Sequence, residues 1–136
     1  MKALKILLTT AAIFGCVTTS NAEDNSKTFT LSSPDIAEGQ QLDAKQVFTG
    51  FGCEGGNSAP ALSWEHAPEG TKSFALTVYD PDAPTGSGWW HWFALNIPAD
   101  VNELPVGATI NSGLPADTVE LANDYGALGF GGACPP

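Results

Sequence analysis

The sequence contains no arginine, and basic residues of any kind are scarce. Five lysines stand against 15 aspartate and glutamate residues, which gives a formal net charge of −10 at pH 7. No basic cluster offsets this charge anywhere along the chain. Because nucleic acids and anionic membranes attract positively charged surfaces, the charge argues against either as a partner.

Histidine and cysteine are also rare, which limits the available chemistry. The two histidines, His66 and His91, have no cysteines or carboxylates at the spacing of a metal site. No serine or cysteine near His91 is an obvious nucleophile. The glycine-rich stretch 126–132 lacks the lysine and the following helix of a phosphate-binding loop. We therefore expect neither a metal ion nor a cofactor.

The first 22 residues have the pattern of a secretory signal peptide. Lys2 and Lys5 precede an apolar stretch over 6–17, and small residues end at Ala22. This stretch is short for a membrane span, which takes about 20 apolar residues. We predict cleavage after Ala22 and a periplasmic or secreted location. A lipoprotein anchored through Cys16 and an N-terminal membrane anchor are the alternatives.

Cleavage divides the chain into a signal peptide at 1–22, a flexible leader at 23–28 and one domain at 29–136. The mature chain then keeps two cysteines, Cys53 and Cys134. An even number in an exported protein permits one disulfide bond, and two free thiols are the alternative.

Strand patterns are clearer than helical ones. The 15 glycines and 10 prolines favour turns over long helices. The stretch 73–80 alternates, whereas 89–97 is apolar on both faces, as expected for a strand inside a sheet or between two layers. The predicted fold class is therefore mostly β, with two packed sheets. Strands are predicted at 28–32, 46–48, 61–64, 73–80 and 89–97. Strict alternation in the last of these places Trp89, His91, Phe93, Leu95 and Ile97 on one face.

The loop between the two longest strands points to a site. Residues 81–88 hold two prolines and two glycines, and a short loop makes successive strands antiparallel neighbours. Asp80, Asp82 and His91 should then gather at one rim of the sheet. Trp89 and Trp90 would form a wall there.

A carboxylate beside an imidazole favours the charged histidine and fixes which ring nitrogen carries the proton. Such a pocket suits a small anion. The same pair of groups can also serve as orienter and general base in a hydrolase. In a third, purely structural interpretation, Asp80 and Asp82 cap a turn and His91 packs in the core.

Four stretches of the chain match a family pattern in the right order. Residues 76–99 read LTVYDPDAPTGSGWWHWFALNIPA, in which Asp-Pro-Asp-Ala-Pro followed by Trp-x-His is specific. The others are FGCEGGNSAPALSW (51–64), HAPEGTKSFAL (66–76) and NDYGALGFGGACPP (123–136). Together they resemble the phosphatidylethanolamine-binding protein family, in its bacterial Raf-kinase-inhibitor-like branch.

The resemblance implies an antiparallel β-sandwich with a small anion pocket at one end. Members bind phosphorylated or phospholipid head groups, and some inhibit kinases or other signalling enzymes. We therefore expect a binding module rather than an enzyme, with a protein partner left open. By motif position the pocket residues would be Asp80, Asp82, Trp89 and His91, with Gly132, Cys134, Pro135 and Pro136 as another wall.

The chain also departs from the family. Ala59 and Ala133 stand where the branch usually has serine and proline, and Phe130 replaces a tyrosine. In the family, Cys-Pro-Pro is followed by a His-Arg-Tyr stretch, a core strand and a helix, whereas this sequence ends at Pro136. We therefore expect a partial domain with weaker anion affinity that folds poorly or aggregates, or a non-functional truncated product.

Overall fold

The structure, a computed structural model, describes residues 27–135. The predicted signal peptide, with Cys16 and the cleavage position at Ala22, lies outside the described residues, and so does Pro136. Nowhere between residues 27 and 135 is there a helix long and apolar enough to cross a membrane.

Short strands dominate the described part of the chain, and its helical structure is a single 3₁₀ turn. The prediction of a mostly β fold is confirmed. The strands are β1 (Thr30–Ser32), β2 (Thr49–Gly50), β3 (Cys53–Glu54), β4 (Leu62–Glu65), β5 (Ser73–Asp80), β6 (Trp89–Pro98), β7 (Glu103–Leu104) and β8 (Val119–Glu120), and the 3₁₀ turn is Ala44–Gln46.

The strands form two three-stranded sheets and one small hairpin, all antiparallel. The sheet orders are β1-β4-β7 and β5-β6-β8, and β2 pairs with β3. The core lies where the two larger sheets meet, because apolar side chains from both are buried there. Its residues are Ala59, Leu62, Trp64, Trp92, Ala94, Ile97, Leu104 and Ala108.

The β5–β6 hairpin is the longest paired unit and positions the candidate site. Its register runs from Ser73 opposite Pro98 to Asp80 opposite Trp89, so the 81–88 loop closes it as predicted. Along β5 half-buried and exposed residues alternate. The hairpin therefore places Asp80 and the start of β6 at one end of the molecule.

The predicted alternation along β6 is wrong, because the strand contains two bulges. Tyr79 pairs with Trp90 and Val78 with Trp92, which leaves His91 as an extra residue between them. A second extra residue lies near Asn96, whose φ is 60°. His91 and Trp92 are consequently both buried, although they are adjacent in sequence.

The strand predicted at 46–48 is also wrong. Gln46 ends the 3₁₀ turn, and regular pairing starts only at Thr49. The cause is local: the Asp43 side chain accepts a hydrogen bond from the Lys45 backbone N–H at 3.0 Å and starts the turn. Val47 then makes an isolated parallel bridge with Ala133.

Candidate functional site

Asp80 caps the turn that follows β5. Its Oδ1 accepts a hydrogen bond from the Asp82 backbone N–H at 2.9 Å, an arrangement typical of aspartate at turns. Asp80 is half-buried, whereas Asp82 is exposed. The two carboxylates therefore have different surroundings, and Asp80 is the one that faces the interior of the site.

His91 is buried, with 4% of its surface exposed. Its Nδ1 lies 2.7 Å from the Gly131 carbonyl oxygen. Because a carbonyl only accepts hydrogen bonds, Nδ1 carries a proton, and in the neutral ring Nε2 is the acceptor. Within residues 27–135 no hydrogen bond or ion pair joins Asp80 to His91. The expectation that a carboxylate fixes this ring is therefore corrected: a backbone carbonyl fixes it.

The site lies between a strand wall and a loop wall. The strand wall is the β5–β6 hairpin, and the loop wall is the segment 129–135. The backbone N–H of Gly131 in the loop wall donates to the His91 carbonyl at 2.8 Å. The two walls thus meet at His91 through its ring and its backbone.

Two asparagine side chains hold the loop wall in place. Asn123 is buried, and its Nδ2 donates to the carbonyls of His91 (3.3 Å) and Gly129 (2.9 Å). Its Oδ1 accepts from the backbone N–H groups of Tyr125 and Ala127. Asn57 Oδ1 accepts from the Gly132 N–H at 2.7 Å. These side-chain hydrogen bonds take the place of the regular strand pairing that the loop wall lacks.

The loop wall also runs beside residues 46–48. The Ala133 N–H donates to the Gln46 carbonyl at 3.0 Å, and the Phe48 N–H donates to the Ala133 carbonyl at 2.8 Å. The approach is so close that a Cβ on Gly132 would lie 2.4 Å from the Gln46 carbonyl oxygen. Glycine is therefore required at this position for steric reasons.

A disulfide bond joins Cys53 of β3 to Cys134 of the loop wall. Both residues are half-buried, and 81 positions separate them in sequence. The bond ties the loop wall to the β2–β3 hairpin. The pairing that the cysteine count left open is thus present in the structure.

Tyr125 joins several aromatic side chains at the rim. It stacks on Phe48 with ring centroids 3.9 Å apart and lies 5.2 Å from Trp89 and 5.7 Å from His91. Its hydroxyl donates to the Gly132 carbonyl at 2.8 Å. Trp89 is therefore part of the rim, where it packs against Tyr125.

Burial raises the pKa of the Tyr125 hydroxyl above its ordinary value of 10.0. The indole N–H of Trp89 lies near the hydroxyl without good hydrogen-bond geometry, and it lowers the pKa of Tyr125. The negative charge of Asp80 raises this pKa further.

A cavity of about 470 Å³ opens between the two larger sheets and beside His91. Asp80 and His91 line it, and Asp82, Trp89, Gly132 and Cys134 do not. Pro135 is half-buried next to the disulfide. The remaining lining residues are mostly apolar: Leu31, Ile36, Leu42, Gln46, Pro60, Leu62, Leu76, Thr77, Val78, Tyr79, Pro81, Phe130 and Ala133.

The cavity contains little positive charge. None of the three lysines between residues 27 and 135 lines it. Among the lining residues of this part of the chain, Asp80 supplies a carboxylate and His91 an imidazole. No group of three or more potential metal ligands was found among the residues described. An anion in this cavity would depend on His91 and on neutral donors.

His66 lies away from this cavity, in an open cleft of about 490 Å³. It is exposed and adopts a φ of 60° just after β4. Lys27 and Asn102 line the same cleft, but the structure brings neither of them near His91.

Sequence reasoning missed several residues that build the site, namely Gln46, Asn57, Asn123, Tyr125 and Phe130. The two asparagines fall inside motifs that were recognised, and their position among glycines is typical of side chains that hydrogen-bond to backbone. However, the partner of Asn57 lies 75 residues away in the chain, and one partner of Asn123, His91, lies 32 residues away.

Comparison with known proteins gives one consistent family. Residues 32–136 match the family model described as phosphatidylethanolamine-binding protein. The chain is 61% identical to the UPF0098 protein YbcL of Escherichia coli strain K12 over 110 residues, which cover 79% of the chain and 60% of YbcL. It is 49% identical to the UPF0098 protein YbhB of the same strain over 109 residues, covering 78% of the chain and 68% of YbhB.

A solved structure agrees with these sequence matches. The crystal structure of E. coli YbcL, described as a new member of the mammalian PEBP family, superposes with a TM-score of 0.77 at 60% identity. The match covers 79% of this chain and 67% of that one. The chain thus spans about three fifths to two thirds of these relatives' length.

Proposed function

The chain belongs to the phosphatidylethanolamine-binding protein family, and on that premise we propose that the cavity beside His91 binds a small anionic or phosphorylated head group. The observation that carries this proposal is the buried His91 ring, held in one orientation by the Gly131 carbonyl at 2.7 Å. Its other nitrogen, Nε2, is left for a ligand. The family name supports the chemical class of that ligand.

His91 would contact an oxyanion through Nε2, the ring nitrogen that the Gly131 carbonyl leaves free. The ring is oriented before the ligand arrives, which lowers the entropic cost of binding. Because Asp80 lies at the same cavity and no lysine between residues 27 and 135 does, binding would be modest in strength. The apolar lining would favour a ligand that carries an apolar group beside its anionic head.

The test replaces His91 by asparagine. The amide of His91→Asn can still donate to Gly131, as Nδ1 does, but it lacks the group at the position of Nε2. We expect the unfolding temperature to stay close to that of the wild type and the affinity for O-phosphoethanolamine, measured by calorimetry, to fall about tenfold or more.

His66→Asn is the matched control, because His66 is exposed and far from the cavity. Unchanged affinity in His91→Asn would overturn the proposal. The same thermal melts test the expectation of poor folding, since a chain that aggregates or partly unfolds gives no single cooperative transition.

We propose a binding protein in preference to a hydrolase. Asp80 caps its own turn and makes no hydrogen bond to His91 in the described part of the chain, which is unlike an orienting carboxylate. Steady turnover of p-nitrophenyl phosphate by the purified protein, lost in His91→Asn, would reverse this choice.

We further propose an exported protein that works in the periplasm. The N-terminal signal pattern and the Cys53–Cys134 disulfide support this location, because such bonds persist in oxidising compartments. Mass spectrometry of the mature chain should give Glu23 as its first residue, and a lipidated Cys16 would contradict that. Inhibition of a kinase or another signalling enzyme is also proposed, supported by the family resemblance alone.

A further inference from the structure

We propose that Gln46 is a ligand-contacting residue that makes the cavity selective for an oxyanion carrying a hydrogen-bond donor beside its acceptor oxygens. This inference rests on the proposed function, because it concerns the same cavity. The ligand class it names is the singly protonated phosphate group, whether free or on a head group.

The first observation is that the Gln46 carboxamide is buried without a partner. Only 1% of the residue is exposed, and neither Nε2 nor Oε1 has a hydrogen-bond partner in the described part of the protein. A buried amide that loses its hydrogen bonds to water destabilises a fold, so such groups are rare unless something else pairs with them.

The second observation is the position of Gln46 at the cavity. It lines the cavity together with Asp80 and His91. Its backbone is fixed, since its N–H donates to the Asp43 carbonyl and its carbonyl accepts from Ala133, each at 3.0 Å. The backbone therefore holds the residue at the cavity, and contact between the buried carboxamide and a ligand requires a rotamer change of the side chain.

The chemistry of the carboxamide defines its partner. Nε2 donates and Oε1 accepts, so both are satisfied by a group that offers an acceptor and a donor side by side. A phosphate with one P–O⁻ and one P–OH has this pattern. A fully ionised oxyanion lacks the donor, and the Asp80 carboxylate at the same cavity repels its second negative charge.

Phosphate and sulfate separate this proposal from a general anion site. At about pH 5, below the second pKa of a phosphate group, phosphate carries P–OH groups and one negative charge, whereas sulfate has the same shape, two negative charges and no donor. We expect the wild-type protein to bind phosphate about tenfold more tightly than sulfate in calorimetry. Gln46→Leu should reduce this preference, and the part that remains is the repulsion of the second negative charge by Asp80.

The same variant has a second signature, in stability without ligand. Because leucine has a similar volume and no polar atoms, Gln46→Leu should raise the unfolding temperature while it weakens phosphate binding. Gln46→Met is the second variant, in case leucine packs badly. A lower unfolding temperature in both would mean that the carboxamide is paired within the fold, and would overturn the inference.

The binding results distinguish the inference from the proposed function. If phosphate binds to the wild type and Gln46→Leu keeps the full wild-type preference over sulfate, this inference is wrong and the anion site stands. If phosphate and sulfate bind equally to the wild type, this inference is also wrong and the anion site stands. If the wild type binds neither phosphate, sulfate nor O-phosphoethanolamine, the proposed function is wrong and this inference fails with it.

Discussion

The strand wall and the loop wall of the site are built in different ways. The strand wall, between Ser73 and Pro98, is held by a ladder of backbone pairs. The loop wall has an isolated bridge at Ala133, and it is further held by hydrogen bonds from single residues and by a disulfide. The hydrogen bonds involve Asn57, Asn123, His91 and Tyr125. One wall depends on many similar backbone contacts, and the other depends on a few individual contacts, several of which join residues far apart in the chain.

This difference indicates which substitutions should disturb the geometry of the site most. A backbone ladder loses little when one side chain changes, because the pairs are made by the main chain. A segment fixed by single side chains loses its position when one of them is removed. Since the loop wall orients His91, its few contacts should control the binding site more than the hairpin does.

Removal of the disulfide should have the largest effect on the loop wall. In the chain-entropy description, the loss of a bond that closes a loop of this length lowers the free energy of unfolding by about 4 kcal/mol. We expect this loss in the double variant Cys53→Ala, Cys134→Ala, measured by guanidinium unfolding. Hydrogen exchange should accelerate at Gly131 and Ala133 more than at Val78.

Reductant provides the control for that prediction. It should destabilise the wild type and leave the double variant unchanged. Equal stability of the two proteins, or faster exchange spread evenly over both walls, would contradict the distinction between the walls.

Asn123→Ala should have the next largest effect. The substitution leaves the Gly129 carbonyl and the N–H groups of Tyr125 and Ala127 without their amide partner, and we expect a loss of about 3 kcal/mol. Urea unfolding measures it. Asn111→Ala is the matched control, because Asn111 is exposed and should change stability by less than about 0.5 kcal/mol. Similar values for the two variants would show that the loop wall has other support.

Tyr125→Phe should have the smallest effect near neutral pH, about 1 kcal/mol, because it removes the hydrogen bond to Gly132. Its clearer signature is at alkaline pH. The folded pKa of Tyr125 is raised, so its contribution to stability is complete below the unfolded pKa of 10.0 and is lost as pH rises through the folded value.

The measurement is the free energy of unfolding at about pH 8 and about pH 11, on either side of the ordinary tyrosine pKa. Tyr125→Phe should lose less stability between the two than the wild type does. Tyr79→Phe is the control, because the exposed Tyr79 hydroxyl also donates to a backbone carbonyl, that of Ser87. An equal alkaline loss of stability in the wild type and Tyr125→Phe would contradict a raised pKa of the half-buried Tyr125 hydroxyl.

The two walls also differ in how much of each could be predicted from the sequence. The strand at 73–80 was predicted with its observed bounds, and that at 89–97 ends one residue further on. Alternating apolar residues and a proline- and glycine-rich loop are local signals, so they survive in the sequence. The bulge at His91 left no such signal, because β6 is apolar on both faces.

The loop wall depends on information that no local pattern contains. Asn57 adopts a φ of 47°, which suits asparagine, but nothing near it shows that its side chain accepts from Gly132. Gln46 was assigned to a short strand with Val47 and Phe48, although Asp43 was in place to start a turn. The recognised motifs thus predicted where the site lies, but its internal hydrogen bonds could be identified only from the structure.

The bulges in β6 have a consequence for how such a site can be gained or moved. β6 has ten residues where β5 has eight, so two insertions are absorbed within one hairpin. A single insertion into a regular strand would turn every later side chain to the opposite face. The second bulge cancels that inversion, and Ile97 returns to the core. A histidine can therefore be added to a finished sheet by two compensating one-residue insertions, and grafting this site onto another hairpin would require both.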